Sequence, residues 1–434
     1  MLDLNDIRRD PDRIRTALAK REIEIDFGEL LSVDEDYRKN QQALEQSRAE
    51  RKGISGQISQ LRRAGESAAQ EIEQLRSRSQ AVGERIAERE SRAGELSAAR
   101  QSLLDALPNL PDDDVPAGGK DANQVLRVVG DRPDLDAPLD HVQLAEGLGL
   151  VDYKRGAKLG GNGSWIYTGV GAQLEWALLN YFVQTHLRDG YTFVLPPHLL
   201  TGDSGYAAGQ FPKFAEDVYV VEEDEQGKPS KFLIPTSETA LVSIHRDEIL
   251  RAEELPRKYF AYSPCYRKEI GGYRTYERGT LRGHQFNKVE MFQFTRPEDS
   301  LAAHEEMLEK AEELMRGLGL HYRVSLLAAG DTSASMTKTF DVEAWIPSIG
   351  QYLEVSSVSN SRDYQARRAR IRYRGPEGKP ALVHTLNGSG LATSRLLPAV
   401  LEQNQQADGS VLVPEVLHAW APARISPVAT RTGH

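Results

Sequence analysis

A chain of 434 residues, 39% hydrophobic, is long enough for two or three domains and a sizeable buried core. With 54 Lys and Arg against 64 Asp and Glu its net charge is −10, so no overall basic character advertises a nucleic-acid partner, and any such partner must be bound locally. The single cysteine, Cys265, excludes a disulfide framework and a cysteine-based zinc site and fits a reducing cytoplasm, while the lack of a signal-like or long apolar run leaves export and membrane insertion unsupported.

Residues 1–30 set Leu2, Leu4, Ile7, Ile14, Leu18, Ile23 and Ile25 around Pro11 in short helical patterns, which predicts a small packed lead-in. From about Asp36 to Leu107 the composition shifts to Gln, Glu, Arg, Ala and Ser, with no proline and no aromatic after Tyr37. Leu75, Val82, Leu96 and Leu103 share one heptad track, with Arg89 as the exception, and Ile72, Ile86, Ala93 and Leu107 share another, the pattern of a coiled-coil seam. The break at 63–67 reads as a helix end followed by an N-cap serine, so the segment 36–107 is expected to be an antiparallel helical hairpin projecting on the order of 60 Å. It holds 13 Lys and Arg against 11 Asp and Glu, +2, which leaves −12 elsewhere. The arm is therefore the surface least repulsive to a polyanion, with Arg48, Arg51, Lys52, Arg62, Arg63, Arg76, Arg78 and Arg85 near its outer half. A spacer or oligomerisation coiled coil accounts for the same pattern.

The Pro/Asp/Gly-rich stretch 108–125 reads as a linker between an N-terminal domain, 1–107, and a second domain, 126–434. Gly160-Gly161-Asn162-Gly163 lacks the lysine and hydroxyl residue of a phosphate loop. Leu174–Leu187 is an apolar helix that must be buried against something, and a strand at 191–195 follows it, ending in Pro196-Pro197. An apolar strand then runs into Pro235-Thr236-Ser237-Glu238, where Thr236 suits an N-cap and Glu238 the helix dipole.

Apolar runs around 259–266 and 289–294 flank a Gly/Arg/Tyr-rich middle, the pattern of two antiparallel strands joined by a long loop. Arg267 and Glu269 are expected on one face of the first strand, Glu290 on the return strand, and Phe286 where a flat ring stacks. A fixed guanidinium beside carboxylates and an aromatic suits a nucleotide, although a lone Arg-x-Glu also suits a cross-strand ion pair. A helix over 301–319, a strand over 321–327 and a strand pair over 340–347 and 352–360 come next. There Glu354 and Ser357, with Asn360 nearby, offer hard oxygen ligands for Mg²⁺ or an ordinary edge charge. The basic run Arg367–Arg372 faces phosphate or solvent. In His384–Arg395 glycines permit a close backbone approach, and Arg395 opens an apolar helix from which it reaches phosphate.

The string 264–292, PCYRKEIGGYRTYERGTLRGHQFNKVEMF, resembles motif 2 of class II aminoacyl-tRNA synthetases, and its RGHQFNKVE portion resembles the seryl-tRNA synthetases. Residues 174–197 are similar to motif 1, with Pro197 as the motif proline, and 384–395 to motif 3, where Ser394 replaces the usual glycine and Thr393 is also uncommon. The resemblance implies an α+β class II fold, an antiparallel sheet of about six strands flanked by helices, in a two-fold dimer built on motif 1. It implies an N-terminal coiled-coil arm that grips the long variable arm of tRNA(Ser). It implies that ATP and L-serine form seryl-adenylate, with serine then passed to the tRNA 3′ end in the cytoplasm. Arg267, Glu269 and Arg395 would be catalytic. Serine would be held by Thr236, Ser237, Glu238, Arg267, Glu290, Asn387 and Ser389, and ATP by Arg267, Lys268, Glu269, Phe286, Glu354, Val355, Ser356, Ser357 and Arg395, with Mg²⁺ on Glu354 and Ser357 and no zinc. A ligase loading a carrier protein and a non-catalytic tRNA-binding paralogue are the competing expectations. The long arm argues against the first, and the presence of Arg267, Glu354 and Arg395 against the second.

Overall fold

Helix formers run almost without interruption through the arm, and in the computed structural model they make two 37-residue helices, α1 (Gly28–Ala64) and α2 (Ala69–Asp105), each about 55 Å long. The structure describes residues 1–64, 69–269, 278–375 and 378–428; all but the first two residues of the break read at 63–67, the middle of the motif 2 loop and the end of the C-terminal tail lie outside the described residues. Leu44, Ile54, Val82 and Ile86 are buried along the seam, with Ile58 and Leu75 half-buried against them. Toward the base the buried residue is Leu104 and not Leu103. Leu104 lies five turns of 3.6 residues beyond Ile86, whereas a strict seven-residue track drifts around a straight helix. At the base the fully buried Asp34 carboxylate accepts Arg8 Nη2 at 2.6 Å, Arg38 Nε at 3.1 Å and Arg100 Nη1 at 3.2 Å, which ties helix Leu4–Arg9 to both arms of the hairpin. This first unit comprises Leu2–Arg15 and Glu24–Leu107.

The second unit takes in Thr16–Ile23 and everything from Pro108 onward. In chain order it contains β1 (Gln124–Val129), α3 (Val170–Arg188), β2 (Thr192–Val194), β3 (Arg257–Tyr266), β4 (Gln285–Thr295), α4 (Ser300–Gly317), β5 (Tyr322–Leu326), β6 (Lys338–Ile346), β7 (Gln351–Arg362), β8 (His384–Ala392) and α5 (Thr393–Gln403). Among the described residues the strands form one sheet in the order β1-β5-β6-β7-β8-β4-β3-β2, antiparallel except for the edge pair β2 and β3. Eight strands stand where about six were expected. The outermost, β1 and β2, carry the exposed Val125, Leu126, Val128 and Phe193 and so lack an alternating in-out pattern.

Helices α3, α4 and α5 pack on the sheet, and Leu174, Leu178, Phe182, Met307, Leu314, Leu396 and Val400 form a continuous core with Phe260, Met291, Val342 and Val358. Gly390 on β8 has no room for a side chain, because a Cβ there would lie 2.1 Å from the ring of His186 on α3. No described helix is long and apolar enough to cross a membrane.

Two irregularities set the chemistry. Between β6 and β7 the register runs Val342 to Ser356 and then Glu343 to Glu354, so Val355 is an extra residue on β7. Between β4 and β8 it shifts between Lys288 and Glu290, which faces Ser389. Bulges of this kind turn side chains that a regular pleat would separate toward one face.

Candidate active site

The inner strands β4, β7 and β8 line a cavity of about 530 Å³, and an adjoining recess of about 100 Å³ shares Arg267, Glu269, Arg282, Lys288, Glu354 and Ser389 with it. Glu354 and Ser357 both line the larger cavity. Three residues apart on an unbroken strand they would face opposite ways; the extra Val355 brings them together.

Glu290, which lines the larger cavity and not the recess, is 1% exposed. Its Oε2 lies 2.6 Å from Lys288 Nζ, and its Oε1 accepts Asn387 Nδ2 at 3.0 Å. Lys288 Nζ also donates to Thr236 Oγ1 at 2.6 Å, and Thr236 in turn caps the helix Ser237–Leu241 and lies 3.5 Å from Glu290 Oε2. Glu238 accepts Gln365 Nε2 at 2.7 Å, and Gln365 is oriented by Thr385 Oγ1. Burial, with the charge of Glu290 behind it, raises the Glu238 carboxyl to about 7. Two carboxylates against one lysine leave this corner short of one positive charge, the complement of an ammonium ligand.

Where the cavity meets the recess, the Arg267 guanidinium sits 5.2 Å from the centre of the Phe286 ring and donates through Nε to Pro235 O at 3.2 Å. β3 ends at Tyr266, so Arg267 and Glu269 lie beyond it and not on its face as expected; Glu269 takes a left-handed φ of 51°, which no strand accommodates. Glu269 pairs with Arg282 at 2.9 Å. Arg395, at the start of α5, donates to Glu354 Oε2 and to Glu354 O, each at 3.1 Å.

Among the described residues no three His, Cys, Asp or Glu side chains are gathered to hold a metal. The residues present nevertheless suit a hard cation. Asp341, opposite Ser357 on β6, has a buried oxygen without a hydrogen-bond partner, and burial and the nearby Glu354 push its carboxyl well above the usual range. A divalent ion at Glu354 and Ser357 would offset that crowding, with substrate phosphates completing its coordination.

Val355 lines the recess with Phe286, Ser394 and Arg395. Three expected residues do not line the cleft. Ser237 is buried against Ser263 Oγ at 2.8 Å, Ser356 donates to Ser389 O at 2.7 Å, and Lys268 holds Asp217 O through its backbone N–H. Asn360 is turned to Ser300 and Arg362. The run 367–372 is neither a phosphate face nor wholly solvent: Arg368 is buried between the rings of Tyr206 and Tyr364 and donates to Phe211 O at 2.8 Å, beside the lining residue Gln210. Lys288, Gln365 and Arg282 were not singled out in the sequence. Lys288 had a signal, lying two residues from both Phe286 and Glu290 and so on their face of β4.

Residues 219–404 match the family model of the tRNA synthetase class II core domain (G, H, P, S and T), and residues 1–111 that of the seryl-tRNA synthetase N-terminal domain. Serine–tRNA ligase 2 of Clostridium acetobutylicum is 53% identical over 426 residues, 97% of this chain and 99% of that protein. The chain belongs to the seryl-tRNA synthetase family. Seryl-tRNA synthetase from Pyrococcus horikoshii, solved in complex with ATP, has a TM-score of 0.90 at 34% identity over 99% of this chain and 100% of that one. The cytoplasmic serine–tRNA ligase of Naegleria fowleri, solved in complex with AMP, has a TM-score of 0.84 at 29% identity, covering 98% and 99%.

Within the seryl-tRNA synthetase pattern Thr393 now has a reason. Its hydroxyl donates at 2.6 Å to Glu175, a buried carboxylate on α3 that also accepts Asn287 Nδ2 at 2.8 Å. One carboxylate thus joins motif 1, the residue after Phe286 and the residue two before Arg395.

Proposed function

We propose that this chain activates L-serine with ATP to seryl-adenylate and passes the seryl group to the 3′ end of tRNA(Ser). The observation that carries the reading is the buried set Glu290, Lys288, Thr236 and Asn387 opening beside Arg267 and Phe286. Serine enters with its carboxylate already ionised, so no general base is needed. The task is to align that carboxylate with the α-phosphate and to neutralise crowded negative charge. Arg267 serves the carboxylate and α-phosphate, Phe286 stacks on adenine, Glu269 orients the adenine amino group and Arg395 takes the γ-phosphate. Glu354 and Ser357 would hold Mg²⁺, whose charge offsets that of the phosphates when bound.

Glu238 receives the substrate ammonium, while Glu290 and Ser389 bond its hydroxyl. A site built to bond a hydroxyl rejects alanine and glycine strongly, since its own buried groups are then left unpaired. The arm takes the tRNA. Arg48, Arg78 and Arg85 are engaged by Glu90 and Glu50, whereas Arg51, Lys52, Arg62 and Arg63 form no ion pair with a described residue and are open to phosphate. The exposed Trp176, Leu187, Phe193 and Leu195 on and beyond α3 suit a second copy of the chain, and a reducing cytoplasm suits the free, buried Cys265.

ATP–pyrophosphate exchange with each of the twenty amino acids, without tRNA, tests the reading. Exchange with serine alone is expected; no exchange, or exchange with a different amino acid, would refute it.

A further inference from the structure

A buried cation lies outside the cleft and touches none of the groups just described. Arg21, in Thr16–Ile23, is 5% exposed and forms no ion pair with a described residue. Burial without a carboxylate lowers its pKa to about 10. Its guanidinium donates from Nε to Asn109 O at 2.8 Å, from Nη1 to Ala329 O and Thr332 O at 3.0 Å and Ser333 O at 3.4 Å, and from Nη2 to Met336 O. Four of these five carbonyls belong to the loop 327–337 between β5 and β6. Asn109 holds the same loop from a second direction: its Nδ2 donates to Ser335 O at 2.9 Å and to Ser361 O at 2.8 Å, and its backbone N–H to Ala334 O at 2.7 Å. Ser333, Ser335 and Met336 of that loop are a wall of the larger cavity and do not reach the recess.

A buried guanidinium without an anionic partner is costly and is retained only where its donors are all used. Here all three nitrogens donate, Nε to Asn109 and Nη1 and Nη2 to the backbone of a loop that has no strand ladder of its own. A rigid planar fork fixes several oxygens relative to one another, which an ammonium on a flexible stem does not. We propose that Arg21, with Asn109, is a positioning residue for the amino-acid end of the site: by fixing the carbonyls of 329–336 it sets the wall formed by Ser333, Ser335 and Met336, and through it the affinity for serine. This rests on the serine-activation reading above.

The test is steady-state ATP–pyrophosphate exchange on the full chain, normalised to active sites by the adenylate burst, for wild type, Arg21→Lys and Asn109→Ala. Serine-dependent exchange by wild type is the control for the underlying reading, and its absence would sink that reading and not this one. Given that control, Arg21→Lys should raise KM for serine about tenfold, as small misplacements near a reacting group do, while KM for ATP stays within about twofold. Asn109→Ala, which keeps the guanidinium, should raise KM for serine about threefold, again sparing ATP. Unchanged serine KM with only fewer active sites would make Arg21 a structural anchor and overturn the proposal, as would equal rises in both KM values. If Arg21→Lys yields no folded protein by circular dichroism, Asn109→Ala decides on the same criterion.

Discussion

Serine binding should depend on pH through Glu238. With its carboxyl at about 7, raised by burial first and by Glu290 second, about a tenth of the substrate-free protein carries the charged form at pH 6 and about nine-tenths at pH 8. If the ammonium of serine requires the carboxylate, KM for serine falls about tenfold between those pH values and levels off above them, while KM for ATP does not follow. Glu238→Gln keeps the shape and removes the titration, so the profile should flatten and KM at pH 8 should rise about 10- to 100-fold, the worth of a charged hydrogen bond.

Stability carries the opposite sign. A carboxyl raised from 4.5 to about 7 favours the fold when protonated, so its contribution is whole below pH 4.5 and is lost as pH rises through about 7. The shift corresponds to about 3 kcal/mol, discounted to about 2 kcal/mol for a half-buried group. Substrate-free Glu238→Gln should therefore melt a few degrees above wild type at pH 8 and level with it at pH 4.5. Exchange kinetics across pH 6–8 and thermal unfolding across pH 4.5–8 read the two effects. A flat serine KM in wild type, or a pH-dependent one in Glu238→Gln, would refute the reasoning.

Two further outcomes are expected. Excising residues 47–89 and closing the arm with a short glycine turn should leave serine-dependent exchange within about twofold while tRNA(Ser) charging falls at least about a hundredfold, since phosphate contacts supply much of nucleic-acid affinity; loss of both activities would mean that the arm serves the fold. Thr393→Val removes the Thr393 donor to Glu175 Oε1, which also accepts Asn287 Nδ2, and should cost about 1–3 kcal/mol, visible as a Tm several degrees lower and a raised KM for ATP with KM for serine unchanged.

The sequence made the site legible where chemistry is carried by residues close together in the chain. Phe286 and Glu290 lie on one face of β4 as alternation requires, and Asn387 and Ser389 likewise on β8. It failed where geometry comes from irregular backbone. Period-two reading continues β3 through Glu269, whose left-handed φ ends it earlier, and separates Glu354 from Ser357, which only a bulge reunites. It also failed where a residue's partner is remote. Gln365 matters because Thr385 turns it to Glu238, Arg368 because two tyrosines enclose it, and Arg21 because its acceptors lie some three hundred residues further on. The fold was read in its class, its arm and its inner strands, and undercounted at the edges, where short strands with exposed apolar side chains leave no pattern.

The extra residue at Val355 bears on how a silenced copy of such an enzyme would be recognised. One more residue in β6 opposite Val355 would restore a regular ladder and, with Glu354 and Ser357 still three residues apart, turn Glu354 away from Ser357 and from its contact to Arg395, while every side chain assigned to chemistry stayed in the chain. A paralogue inactivated in this way passes any inspection that asks only whether the functional residues are present. The two-against-one pairing of β7 with β6 at Val355 is as much a signature of activity as the residues themselves.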